Sequence, residues 1–298
     1  MTDRIEGLFI MYAAYFGLKE NPFSLSPEPN YLFLSEQHRD ALNCLIYGIK
    51  EKKGFILISG DIGLGKTTVC RSLLASLDDS VETALIFNTA ISDLDLLETV
   101  LGEYGIAVKD GLKTKKNYID ALNDFLLKNF AAGKTAVLII DEAQNLSHGV
   151  LEQVRMLSNL ETETEKLIQI ILIGQPELNN TLMLPALRQL NERITVRYDL
   201  KPLSPREVRD YILHRLIIAQ GPGSLEFTRG AMNLIYTFSE GIPRRINALC
   251  DRSLLIAYTK NTSKINRRIV KLAVHDIGIN YFQKTMSSGR KIWLRLTT

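Results

Sequence analysis

Phe55-Ile56-Leu57-Ile58-Ser59-Gly60-Asp61-Ile62-Gly63-Leu64-Gly65-Lys66-Thr67-Thr68 is the stretch on which the fold turns. Its first five residues form a short apolar run of the kind that makes a strand buried on both faces. Residues 67–77 carry a helical pattern. Between the two, Gly60 to Thr67 match G-x-x-x-x-G-K-[ST] at every position. Strand, glycine-rich turn and helix in this order make a phosphate cradle. The glycines let the backbone curl so that its N–H groups point inward, and the helix adds its positive end. Lys66 can reach the β- and γ-phosphates and the Thr67 hydroxyl can ligate Mg²⁺. Gly60, Asp61, Ile62, Gly63, Leu64, Gly65, Lys66, Thr67 and Thr68 are therefore the predicted nucleotide-binding residues.

Outward from this loop, apolar runs at 83–88, 135–140, 167–173 and 194–200 alternate with helical patterns at 93–103, 116–131, 149–160 and 178–190. That alternation predicts an α/β three-layer core with a parallel five-stranded sheet. After Pro202 the pattern changes. Ser204, Pro205 and Glu207 read as a capping-box start for a helix reaching about Ala219, and further helices are expected over 228–239, 243–258 and 266–274. The expected organisation is an N-terminal segment over 1–34, an α/β core over 35–201, a small all-helical domain over 202–278 and a basic tail over 279–298.

A phosphate loop alone does not separate kinases, GTPases and ATPases, so the second acidic element decides. The run Ala136 to Ile140 ends in Asp141-Glu142. Asp141 stands where a carboxylate would hold Mg²⁺ through its water shell, and Glu142 where one would polarise the attacking water. No guanine-reading Asn-Lys-x-Asp is present, so the nucleotide is expected to be ATP. Phosphoryl transfer also needs positive charge near the γ-phosphate. Leu187 to Arg193, closing the helix before the fifth strand, and Gly241 to Asn247, opening a later helix, supply arginines.

The 298 residues are 46% hydrophobic and 23% charged, which fits a soluble globular chain and excludes disordered or fibrous classes. No run approaches the roughly 20 apolar residues of a membrane span, and no signal peptide is visible, so a cytoplasmic location is expected. Cys44, Cys70 and Cys250 lie far apart and are expected to be reduced and buried. His38, His148, His214 and His275 are isolated and read as structural or surface residues. The formal charge is +3, yet from Lys260 onward nine Lys/Arg face a single acid, Asp276. A solvated basic face or a nucleic-acid partner would account for that.

Taken together, Tyr15-Phe16-Gly17-Leu18, Asn21-Pro22-Phe23, the phosphate loop, Asp141-Glu142-Ala143-Gln144, Gly174-Gln175-Pro176-Glu177-Leu178, Leu187 to Ile194 and Gly241-Ile242-Pro243-Arg244 resemble the AAA+ superfamily. Within it they resemble the general secretion pathway protein A family of ATPases, over nearly the whole chain. The resemblance implies a sheet in the order 5-1-4-3-2, a helical lid, and assembly into homo-oligomeric rings or filaments. It implies Arg193 as an arginine finger acting on a neighbour's nucleotide, with Arg188 the competing choice, and Arg244 as the lid arginine that senses the γ-phosphate. Gln175 would orient the attacking water, the stretch from Tyr15 to Phe33 would border the adenine, and the usual start points to Met11 as initiator.

Secretion-system members continue into a membrane span and a periplasmic part, neither of which these residues contain. The same module is similar to helper ATPases of transposons and of exopolysaccharide export systems. Three functions follow: an ATPase that assembles or remodels an envelope secretion or export machine, free in the cytoplasm or peripheral to the inner membrane; a transposase partner that holds duplex DNA through the basic tail; and a nucleotide-gated scaffold.

Overall fold

The computed structural model describes residues 12–24, 31–87, 89, 91–107, 114–163, 165–220 and 225–278. It divides into two compact units, residues 34–201 and residues 1–33 with 202–298. The basic tail, Met1 and Met11 lie outside the described residues.

In the first unit, β1 (Phe55–Ser59), β2 (Val81–Ile86), β3 (Thr135–Ile140), β4 (Ile168–Gly174) and β5 (Ile194–Asp199) form one parallel sheet in the order β2-β3-β4-β1-β5. This is the expected 5-1-4-3-2 order. β1 and β4 are buried at every residue, whereas β2 and β5 are half-wet. The reading of 55–59 as a strand buried on both faces thus holds, while the runs at the sheet edges, where each strand has one neighbour, are wetter. Ser59 pairs with Gly174, so β1 and β4 end level, and Ile140 pairs with Leu172, so β3 ends two residues short of them at the same edge. Gly60, Asp141 and Gln175 therefore leave the sheet at one rim, the carboxyl edge where open α/β sheets bind ligands.

The helices of this unit are α1 (Glu36–Lys50), α2 (Lys66–Ser76), α3 (Asp93–Glu103), α4 (Lys115–Ala131), α5 (His148–Leu157), α6 (Pro176–Leu182) and α7 (Arg188–Arg193). The single helix expected over 178–190 is two. Pro185 brings no N–H and biases the residue before it to extended backbone. Leu184 accordingly sits at φ −64, ψ 142, and a 3₁₀ turn over Pro185–Leu187 restarts the chain toward α7. Helix α1 has no counterpart in the sequence reading.

The second unit holds α8 (Pro205–Ile218), α9 (Arg229–Ser239), α10 (Pro243–Thr259) and α11 (Arg267–Ile277). Ser204 and Glu207 make the expected capping box at α8. The unit is not wholly helical: β6 (Glu226–Phe227) and β7 (Lys264–Ile265) pair in parallel. Tyr12, Phe16, Leu18, Phe23 and Tyr31 are buried in the same apolar cluster as Ile212, Ile246 and Leu254. Polar ties reinforce this attachment of the N-terminal segment. The Tyr12 hydroxyl and Asn21 Nδ2 both donate to Oδ1 of Asp251, and Arg215 Nε donates to the Pro22 carbonyl. No described helix is long and apolar enough to cross a membrane.

Candidate functional site

The phosphate loop needs glycine for two separate reasons. Gly63 and Gly65 sit at φ +83 and +95, in the left-handed region that costs other residues about 1–2 kcal/mol. Gly65 is also crowded, because a Cβ there would lie 2.7 Å from Nε2 of His38. The cap of α2 has no side-chain hydrogen bond and its first turn carries no acid, so its N–H groups and positive end are left to an external anion. Ile62, at the tip, is 59% exposed. Lys66 is buried, and its Nζ donates to the carbonyls of Gly60 at 2.7 Å and Asp61 at 3.1 Å. Burial pushes the Lys66 ammonium below the usual lysine range, opposed by the charges of Glu142, Asp141, Asp61 and Glu177. A phosphate would supply what those carbonyls and carboxylates now supply.

Asp141 follows the last residue of β3 and is 2% exposed. Its Oδ2 accepts from the Thr67 hydroxyl at 3.0 Å and its Oδ1 from the backbone N–H of Glu142 at 2.8 Å. The hydroxyl and carboxylate oxygens are a donor pair suited to a hard cation such as Mg²⁺. Glu142 takes a left-handed backbone, φ +52, as the chain turns from β3 into the 3₁₀ turn over Ala143–Asn145. A non-glycine residue held there stores local strain of the kind that clusters at functional sites.

Glu142 is joined to the end of β4 by a short network. Its Oε2 accepts from Gln144 Nε2 at 2.6 Å and from Gln175 Nε2 at 3.3 Å. Gln144 Oε1 accepts from the backbone N–H of Gln175 at 3.0 Å, which orients the Gln144 amide with its nitrogen toward Glu142. Gly174 makes room for this, since a Cβ there would lie 3.0 Å from Gln144 Oε1. The structure thus brings together Gly60 to Thr68, Asp141, Glu142 and Gln175, and it adds Gln144. The sequence reading assigns Gln144 no role in the site: one partner, Glu142, is two residues away, but the other, Gln175, lies 31 residues away.

The arginines are placed differently. Arg193 ends α7, and its Nη1 donates to Ser158 Oγ within the same unit. Arg188, at the start of α7, is exposed and pairs with Glu192 one turn on, at 2.8 Å. Arg244 is exposed at the second position of α10, in the helical unit. Sequence reasoning missed His38, which is 3% exposed and bonded to the phosphate loop. Cys70 and Cys250 are buried and free as expected, whereas Cys44 is free but half-buried.

Residues 49–182 match a family model described as an AAA domain. General secretion pathway protein A of Aeromonas hydrophila is 45% identical over 286 residues, which make up 95% of this chain and 52% of that protein. The chain thus spans about half the length of this curated relative. Among solved structures, Cdc6p from Pyrobaculum aerophilum superposes with a TM-score of 0.64 at 16% identity, covering 85% of this chain and 70% of that one. The ORC2 protein of Aeropyrum pernix, in ADPNP-ADP complexes, gives 0.60 at 15% identity, covering 80% and 67%. At such identities the likeness is one of fold.

Proposed function

This chain is an AAA+ protein related to general secretion pathway protein A, and from that premise we propose that it binds ATP with Mg²⁺, hydrolyses it, and couples the nucleotide state to assembly or remodelling of a cell-envelope secretion or export system. The observation that carries the chemistry is the convergence of Lys66, Thr67, Asp141, Glu142 and Gln175 at one rim of the sheet, with Thr67 and Asp141 in contact at 3.0 Å. The loop N–H groups and Lys66 bind the phosphates. Thr67 and Asp141 hold Mg²⁺, which when bound neutralises charge on the β- and γ-phosphate oxygens. Glu142 accepts a proton from the attacking water and Gln175 orients that water. Arg193, or Arg188 in its place, acts on the nucleotide of a neighbouring copy in a ring or filament, and Arg244 senses the γ-phosphate.

The envelope process rests on the 45% identity to the Aeromonas protein, and it carries a cytoplasmic location peripheral to the inner membrane. Phosphate release from ATP tests the chemistry. Turnover should need Mg²⁺ and vanish in Lys66→Ala, and a Lys66→Ala protein that turns over normally would sink the assignment. Mixing Lys66→Ala with Arg193→Ala should restore part of the activity where subunits share sites, and the same mixture with Arg188→Ala compares the two arginines. Duplex DNA at two salt concentrations tests the role. Stimulation that falls steeply with salt would replace the envelope reading with that of a transposition helper, because phosphate contacts are salt-sensitive.

A further inference from the structure

One buried side chain outside the assigned residues reaches the phosphate loop from another element. His38 lies in the first turn of α1, which packs beside α2. Its Nε2 is 2.9 Å from the carbonyl oxygen of Leu64 and its Nδ1 is 2.6 Å from Oγ of Ser35. A carbonyl oxygen only accepts, so in the neutral ring Nε2 carries the proton and Nδ1 accepts from the Ser35 hydroxyl. That hydroxyl accepts in turn from the backbone N–H of His38, at 3.3 Å, as the cap of α1. The ring is held at both nitrogens, in one tautomer.

The Leu64 carbonyl belongs to the peptide unit shared with Gly65. Such a unit is planar and trans, so its C=O and N–H point in opposite directions. Whatever anchors the Leu64 oxygen therefore aims the Gly65 N–H the other way. That N–H donates to no acceptor among the described residues. With Gly65 at φ +95, ψ 25, nothing in the glycine itself resists rotation of this peptide. Rotation would turn an N–H away from a bound anion and present a carbonyl oxygen to it.

We propose that His38 is a positioning residue for the nucleotide, one that holds the Leu64 carbonyl and so keeps the Gly65 N–H turned toward the phosphates. The proposal rests on the reading of this loop as an ATP site. The same ring occupies the space beside Gly65, where a Cβ would lie 2.7 Å from Nε2, so loop and histidine fit each other by shape as well as by hydrogen bond.

Three variants of the full chain test it: His38→Gln places an amide Nε2–H as many bonds from Cβ as the imidazole Nε2, His38→Asn is one bond shorter, and His38→Leu fills the space without a donor. With fluorescently labelled ATP and Mg²⁺, His38→Leu and His38→Asn should bind about tenfold more weakly than the parent, and His38→Gln within about threefold of it. Affinity of His38→Leu within twofold of the parent, or of His38→Gln as poor as His38→Leu, overturns the proposal. So does a lowered melting temperature with unchanged affinity, the mark of a merely structural histidine. Nucleotide-free crystal structures separate this proposal from the ATP reading. The Leu64–Gly65 peptide should rotate in His38→Leu and keep its orientation in His38→Gln. An unrotated peptide in His38→Leu overturns the proposal, whatever the protein binds.

Discussion

Exchanging Glu142 for Gln should arrest turnover while ATP still binds, and the network around the side chain sets what else changes. Glu142 Oε2 accepts two amide N–H groups, from Gln144 at 2.6 Å and Gln175 at 3.3 Å. A glutamine carbonyl oxygen placed there accepts both, and what is lost is the charge assistance, about 1 kcal/mol for the shorter bond. Glu142 is half-buried, so solvent screens part of even that, and the fold should tolerate the change. Removing a negative charge beside a site for a polyanion leaves ATP affinity equal or tighter. The rate should fall by about 10²- to 10⁴-fold, the usual contribution of a positioned general base, equivalent to about 3–5 kcal/mol of barrier. Glu142→Ala should add a stability loss, because it leaves the amide groups of Gln144 and Gln175 without their acceptor. Phosphate release under saturating Mg²⁺ and ATP gives the rate, and labelled nucleotide gives the affinity. Turnover of Glu142→Gln within tenfold of the parent, with binding intact, would remove Glu142 from the role of base.

Two further substitutions probe the helical unit. Burial pushes the Asp251 carboxyl above the usual carboxylate range, against the hydrogen bonds from Tyr12 and Asn21 and the charge of Arg252, which pull it down. The folded state thus binds this proton more tightly than the unfolded chain, and the parent loses stability as pH rises from about 3.8 through the raised folded-state value. Asp251→Asn does not titrate, so its stability relative to the parent should climb across that window and then level off; urea titrations at a series of pH values that show the opposite slope would refute this. Gly241 sits at φ +77 and a Cβ there would lie 2.1 Å from the Leu203 carbonyl oxygen, so Gly241→Ala should combine left-handed strain with a weakened Leu203 N–Gly241 O bond, now 2.9 Å. A loss of about 2–4 kcal/mol in denaturant titration is expected, and one below about 1 kcal/mol would mean that the backbone yields without strain.

What could be read from the sequence was what short-range pattern encodes. Phe55 to Thr68 contain strand, turn and helix start contiguously, and Asp141-Glu142 follow an apolar run directly, so the loop and the two acids proposed as metal ligand and base were visible. Helix α1 was not, although Ser35 offers a cap and Ala41, Leu45 and Ile49 fall on one face. Gly48 weakens its helical signal, and the reason for that glycine is tertiary: a Cβ would lie 2.4 Å from Cδ1 of Ile56 in β1. The two-residue strands β6 and β7 are too short to carry any periodicity. His38 and Gln144 escaped because the partners that tie them to the other segments of the site, Leu64 and Gln175, lie 26 and 31 residues away and come close only in the fold.

The burial of the N-terminal segment among helices α8 to α11 has a consequence for how the protein is made. Tyr12 emerges from the ribosome 239 residues before Asp251, its hydrogen-bond partner. At translation speeds of roughly 5–20 residues per second, that interval is on the order of 10 to 50 s. The intervening unit, residues 34–201, can complete its sheet during this time, while Tyr12, Phe16 and Phe23 have no core to enter. The nascent chain therefore carries an exposed, sticky aromatic segment until Asp251 and its helix have been made, a natural client for a chaperone waiting near the exit tunnel.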